Sequence, residues 1–127
     1  MEQNSIVLCD TNIIIELYKN NKSVISELKK IGRNNIAISV ITAGELIYGA
    51  INKQELILIQ RDIESLIRFD INKSICDIYY KMMLKYSLSH NLSVPDGLIA
   101  ATAIYNNIEI FTLNKKDFRY INDLHLY

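Results

Sequence analysis

The sequence predicts an α/β fold: a central, mostly parallel sheet of four to five strands with helices on both faces. Three observations carry that expectation. Ile6–Cys9, Ile36–Ser39 and Ile108–Thr112 are short, almost continuously apolar runs, as expected of strands covered on both sides. Longer segments with apolar residues at helical spacing separate them, which is the pattern of βαβ units. No repeat, low-complexity tract or linker interrupts the 127 residues, so the expectation is one domain over residues 1–127.

The elements follow in order. Ile6-Val7-Leu8-Cys9 is the first strand, ended by Asp10-Thr11-Asn12, and Ile13 to Tyr18 continues as helix. Val24, Ile25, Leu28 and Ile31 mark a second helix over Lys22–Ile31. Gly32-Arg33-Asn34-Asn35 turns the chain into the strand Ile36–Ser39, and Thr42 to Ile51 returns to helix. Residues 54–68 give the clearest amphipathic helix, with Leu56, Ile59, Ile63, Leu66 and Ile67 on one stripe. Phe69-Asp70-Ile71 reads as a minimal strand, and the next helix carries Ile75, Ile78, Tyr79, Met82 and Tyr86 on one face. Pro95, the only proline, stands before Asp96 and opens a small-residue helix from Gly97 to Tyr105. After the strand Ile108–Thr112, a short segment around Asp117 and Phe118 leads to Leu124-His125-Leu126, an edge strand.

Fourteen basic and 14 acidic side chains balance to zero formal charge. That excludes a protein that coats nucleic acid by bulk charge, which would be strongly basic, though not one with a local basic patch. Half the residues are apolar, which excludes intrinsic disorder. Cys9 and Cys76 have no CxxC partner and are expected to be buried free thiols of a reducing compartment. Met1–Ser5 lacks the basic flank of a signal peptide, and no run approaches the ~20 apolar residues of a membrane span. The expected location is the cytoplasm, away from membranes.

In open parallel sheets the functional crevice lies outside the carboxyl ends of the strands. Four places put acids there. Asp10, with Asn12, follows the first strand, where a helix N-cap is the plain alternative. Glu45 lies in Thr42-Ala43-Gly44-Glu45, either reaching back in a capping box or standing as the one charge of a largely buried helix. Asp96 heads an apolar helix, where a carboxylate also complements the helix dipole. Asn114 and Asp117 follow the third strand and, taken singly, read as turn residues. Together, carboxylates converging on one rim repel one another, and a divalent cation offsets that repulsion. All-oxygen donors suit Mg²⁺ or Mn²⁺. His90 and His125 lie outside these segments, which argues against a zinc hydrolase.

The segments Leu8-Cys9-Asp10-Thr11-Asn12, Ile41-Thr42-Ala43-Gly44-Glu45-Leu46 with Gly49-Ala50, Asp96 to Ala103, and Thr112-Leu113-Asn114-Lys115-Lys116-Asp117-Phe118 resemble the four blocks of PIN-domain ribonucleases, in order and over nearly the whole chain. At this length the chain is most similar to VapC toxins of toxin–antitoxin pairs. The resemblance implies an Mg²⁺- or Mn²⁺-dependent endoribonuclease, usually a homodimer, neutralised by a VapB-type antitoxin. Asp10, Glu45 and Asp96 match the family's three acidic positions. Asp117 is favoured as the fourth, with Asn114 as a neutral ligand or supporting group, and Thr11, Asn12 and Thr112 orienting the carboxylates.

The chemistry so implied is hydrolysis of an RNA phosphodiester by water. Lys115, Lys116 and Arg119, with Lys81 and Lys85 on the preceding long helix, are candidate phosphate contacts, the alternative being ordinary solvated side chains. Tyr48 and Tyr105 are candidates for base stacking, or for core or dimer-interface residues. Two alternatives remain: a catalytically weak PIN-fold module that binds RNA or protein, and a haloacid-dehalogenase-like phosphatase using Asp10. The latter needs a second Asp where Asn12 stands.

Overall fold

A computed structural model describes residues 5–127. Met1–Asn4, on which the signal-peptide expectation partly rests, lie outside the described residues. In chain order the elements are β1 (Val7–Cys9), α1 (Thr11–Tyr18), α2 (Lys22–Ile31), β2 (Ile36–Ser39), α3 (Val40–Tyr48), α4 (Lys53–Glu64), β3 (Ile67–Phe69), α5 (Lys73–His90), α6 (Val94–Asn106) and β4 (Glu109–Phe111). Single 3₁₀ turns occupy Arg33–Asn35 and Lys115–Asp117. The strands form one parallel sheet in the order β3-β2-β1-β4.

The sheet separates two apolar layers because successive side chains of a strand point to opposite faces. Val7 and Cys9 of β1, with Ile36 and Ile38 of β2, pack against Ile13, Ile14, Val24, Leu28, Leu46, Ile59 and Ile63 from α1–α4. Leu8, Ala37 and Ile110 face the other way, onto Ile75, Met82 and Tyr86 of α5 and Ile99, Ala100, Ala101 and Ala103 of α6. The helices therefore lie on both faces, and β1 is covered twice, which is why its sequence is apolar without alternation.

Several boundaries differ from the sequence expectation. The amphipathic helix expected over 54–68 ends at Glu64, and the third strand is Ile67–Phe69 rather than 69–71. Leu66 and Ile67 continue the helical stripe equally well, but Ile67, Arg68 and Phe69 pair with Ala37, Ile38 and Ser39, and that pairing decides. The helix expected from Thr42 to Ile51 spans Val40–Tyr48, because Ser39 caps it by accepting a hydrogen bond from the Thr42 amide at 3.1 Å. The helix expected from Gly97 starts at Val94 with Ser93 as its cap, since proline is tolerated in a first turn. Leu124–Leu126 contributes only a parallel bridge, Leu126 to Ile110. Both cysteines are free, as expected, but only Cys9 is buried. Cys76 faces solvent because the buried face of α5 runs through Ile75, Met82 and Tyr86.

Candidate active site

Asp10 stands at the carboxyl end of the central strand, held there by its own amide, which donates to the Phe111 carbonyl at 2.9 Å. It caps α1, with Oδ1 accepting from the Thr11 amide at 2.8 Å. The capping alternative is thus correct, but it uses one oxygen only. Oδ2 accepts from the Thr112 hydroxyl at 2.9 Å and from Asn12 Nδ2 at 3.2 Å. The Asn12 carbonyl oxygen in turn accepts from the Leu113 amide at 3.3 Å. Three donors from two strand ends therefore fix a carboxylate that is only 5% exposed.

Glu45 occupies the second turn of α3 and is exposed, so it is not the lone charge of a buried helix. Half of α3 faces solvent: Ile47 and Tyr48 are exposed, whereas Thr42, Ala43 and Leu46 are buried. The capping-box alternative also fails, because Ser39 takes the Thr42 amide. Glu45 instead accepts from the Thr11 hydroxyl at 2.6 Å. That hydroxyl has one proton to give, so the Thr42 hydroxyl, 3.0 Å away, is the donor to Thr11. Thr11 thereby binds α1 to α3 and holds Glu45 toward Asp10.

Asp96 lies in the first turn of α6, three positions after its cap Ser93. It is half-buried, and the residue that caps the helix is Ser93. Asp117 is exposed in the 3₁₀ turn after β4. Asn114 holds that turn through its main chain: its amide donates to the Thr112 hydroxyl at 3.0 Å, and its carbonyl accepts from the Asp117 amide at 2.9 Å. That backbone role needs no ligand side chain at 114.

The electrostatics join the four acids. Burial pushes the Asp10 carboxyl above its usual range, against the hydrogen bonds from Thr112 and Thr11, and the charges of Glu45 and Asp117 add to it. Burial and then the charge of Asp10 push Asp96 up to about 6, with Asp117 and Glu45 adding and Ser93 opposing. Asp10 and Asp96 thus both lie in the field of Glu45 and Asp117, and no cationic group enters either balance. Among the described residues no group of three or more His, Cys, Asp or Glu side chains is placed to hold a metal ion together. An open set of oxygen donors with excess negative charge fits Mg²⁺ or Mn²⁺, since Mg²⁺ keeps several waters and uses one or two carboxylates. The buried Cys9 thiol next to Asp10 is pushed up to about 12 by burial and then by the Asp10 charge, which makes it a packing residue and not a nucleophile.

Lys115, Lys116 and Arg119 are exposed around Asp117, and Lys81 and Lys85 are exposed on α5. None of the five is in an ion pair among the described residues. Tyr48 is 92% exposed beside Glu45, and Tyr105 is also exposed, so neither is a core residue. Thr11, Ile15, Val40, Ile41, Gly44, Glu45 and Tyr48 line an open hollow of about 510 Å³ next to the acids. Sequence reasoning missed the site role of Ser39 and the hydroxyl of Thr42. Their signal was the polar Ser39 closing an apolar strand run.

A PIN domain family profile matches residues 7–124. Ribonuclease VapC1 of Haemophilus influenzae (strain R2866) is 35% identical over 127 residues, covering 94% of this chain and 94% of that protein. A chain in the structure of VapBC-1 from nontypeable Haemophilus influenzae superposes with a TM-score of 0.80 at 32% identity, covering 96% of both chains. A toxin–antitoxin complex from Klebsiella pneumoniae gives a TM-score of 0.79 at 27% identity, covering 93% of this chain and 94% of that one. Since the profile runs from the first residue of β1 to beyond the last helical turn, the chain belongs to the PIN-domain family.

Proposed function

We propose that this chain, read as one domain over residues 1–127, is an Mg²⁺- or Mn²⁺-dependent endoribonuclease and the toxin of a VapBC-type toxin–antitoxin pair. The carrying observation is that Thr11 ties two of the acids together, its amide on Asp10 and its hydroxyl on Glu45, while burial and then the charge of Asp10 raise Asp96 to about 6 with no cation in the set. Asp10, Glu45, Asp96 and Asp117 would hold the ion, which when bound supplies positive charge to the scissile phosphate and acidifies water. Thr112 and Asn12 fix Oδ2 of Asp10, the Thr11 amide fixes Oδ1 and the Thr11 hydroxyl fixes Glu45, so these two acids would meet their load in a set orientation. Asn114 supports the Asp117 turn through its backbone. Lys115, Lys116 and Arg119 supply positive charge to RNA phosphates beside Asp117, and Lys81 and Lys85 do so from α5.

Antitoxin pairing rests on the relatives' complexes. Homodimerisation and a cytoplasmic location complete the proposal; no helix of the described residues is long and apolar enough to cross a membrane. A phosphatase with Asp10 as nucleophile is disfavoured, since Asn12 stands where that chemistry needs a second acid. A binding-only module is disfavoured by the buried Asp10 and half-buried Asp96, two carboxylates brought together against burial and repulsion with no structural use.

The test is cleavage of single-stranded RNA by the purified protein in Mg²⁺ or Mn²⁺, beside Asp10→Asn and Asp96→Asn. Loss of about a hundredfold or more in each variant, and complete loss in excess EDTA, is expected. Equal rates in all three proteins would refute the site, and activity that survives EDTA would refute the metal.

A further inference from the structure

We propose that His90 and Tyr120 form a stacking platform for one base of the RNA, set beside the acidic rim. The inference rests on the nuclease reading and names a specificity-determining subsite within it. His90 is the last residue of α5, and Tyr120 lies just after the 3₁₀ turn that carries Asp117. Their rings are parallel within 8° with centroids 4.0 Å apart. Tyr86 closes the cluster edge-on, 5.8 Å from His90 and 5.1 Å from Tyr120.

The pair is held in place, although His90 is at the surface. Tyr86 is buried, and its phenol oxygen accepts from the Asn122 amide at 3.1 Å, which ties the Tyr120 segment to α5. The Ser89 hydroxyl lies 2.8 Å from His90 Nδ1 and fixes the imidazole in its plane. Tyr120 stacks on one face of the exposed imidazole and Tyr86 packs against it at 74°, which leaves the second face without an aromatic neighbour. A flat, pre-oriented aromatic face open to water matches the surface on which single-stranded bases stack.

The platform belongs to the acidic rim by connectivity and by charge. The turn after His90 leads directly into α6, whose first turn carries Asp96. The Tyr120 phenol is shifted upward by burial and then by the charges of Asp96 and Asp117. Lys85 Nζ sits 5.3 Å from the Tyr86 ring centroid, on the same helix as His90, and offers a cation to the phosphate that follows a stacked base. The arrangement selects an unpaired base over a duplex, because a base inside a helix has no free face.

The experiment compares the full-length protein with His90→Ala, His90→Phe and His90→Lys. Two measurements are made: cleavage kinetics in Mg²⁺, and binding of a fluorescent mixed-sequence single-stranded oligoribonucleotide in EDTA. His90→Ala is expected to raise both KM and Kd about tenfold, with kcat changed less than about twofold. His90→Phe should restore both constants and His90→Lys should not. Unchanged KM and Kd in His90→Ala, in a protein that cleaves RNA, would overturn the platform alone. Rescue by lysine and not by phenylalanine would also overturn it, replacing stacking with a charge contact. A wild-type protein that binds RNA through His90 but cleaves none would refute the nuclease reading and leave the platform standing.

Discussion

The hydroxyls of Thr11 and Thr112 each have a single proton, and each gives it to a carboxylate of the rim. Thr112 is the more telling, because it is buried and its partner Asp10 is buried too. Thr112→Val keeps the shape and removes the donor, so it should destabilise the protein by about 1–3 kcal/mol in urea denaturation. Thr112→Ser, which loses one buried methyl, should stay within about 1 kcal/mol of wild type. Asp96 behaves in the opposite sense. Its folded-state value of about 6 lies above the ordinary 3.8, so the native state binds the proton more tightly than the unfolded chain does. That contribution is fully present below about 3.8 and is lost as pH rises through about 6. In EDTA, Asp96→Asn should therefore melt above wild type at pH 7, with the gap closing near pH 4. Saturating Mg²⁺ should raise the melting temperature of wild type and leave that of the variant nearly unmoved. The acids themselves are legible in the sequence, because each follows an apolar strand or opens an apolar helix. The hydroxyls that orient them are only partly so: the Thr11–Glu45 and Thr112–Asp10 hydrogen bonds join residues far apart in the chain, and no local spacing encodes them. The stacking of His90 on Tyr120 has no sequence signal at all.

Among the elements, α6 shows how packing sets the position of Asp96. A Cβ on Gly97 would lie 3.0 Å from Met83 Sδ and 3.2 Å from the Tyr79 ring, both on α5. A Cβ on Gly44, in α3, would meet nothing within 4 Å. Both positions are helical, so alanine brings each a similar propensity gain of about 1 kcal/mol, and their difference isolates the clash. Gly44→Ala should stabilise the protein, whereas Gly97→Ala should come out about 1–3 kcal/mol worse than Gly44→Ala by chemical denaturation. Gly97→Ala should also slow cleavage, since relief of the clash moves the turn that carries Asp96. Helices and strands are legible where one period dominates, as in α2 or along the buried face of α5. The α4–β3 boundary is not, because Leu66 and Ile67 satisfy both a helical stripe and an apolar strand. The exposure of Cys76 is equally hidden: one residue beside a helical stripe carries no signal of its own, and Ile75 takes the buried position instead.

At the scale of the whole molecule, 14 acids against 14 bases leave no net field to hold RNA. Several of those acids gather at one rim, so on the proposed function the metal-free face would oppose RNA and a loaded one would tolerate it. On that proposal Lys115, Lys116 and Arg119 beside Asp117, with Lys81 and Lys85 on α5, all unpaired among the described residues, would be the protein's own electrostatic contribution to binding. Replacing Lys115 and Lys116 together with glutamine should weaken RNA binding and flatten its salt dependence, lowering the slope by about 0.7 for each phosphate that is no longer neutralised. The sheet has a second consequence, at its far side. β4 would present its outer edge to solvent, but the last residues lie along it: Ile110 donates to the His125 carbonyl and accepts from the Tyr127 amide, each at 2.9 Å. Tyr127 then packs on Phe111 at 5.0 Å and its phenol donates to Glu27 of α2 at 3.0 Å. This tail keeps neighbouring molecules from pairing with the edge. A chain cut after Leu124 should keep its rim of acids and lose its solubility, self-associating through β4 as light scattering would record.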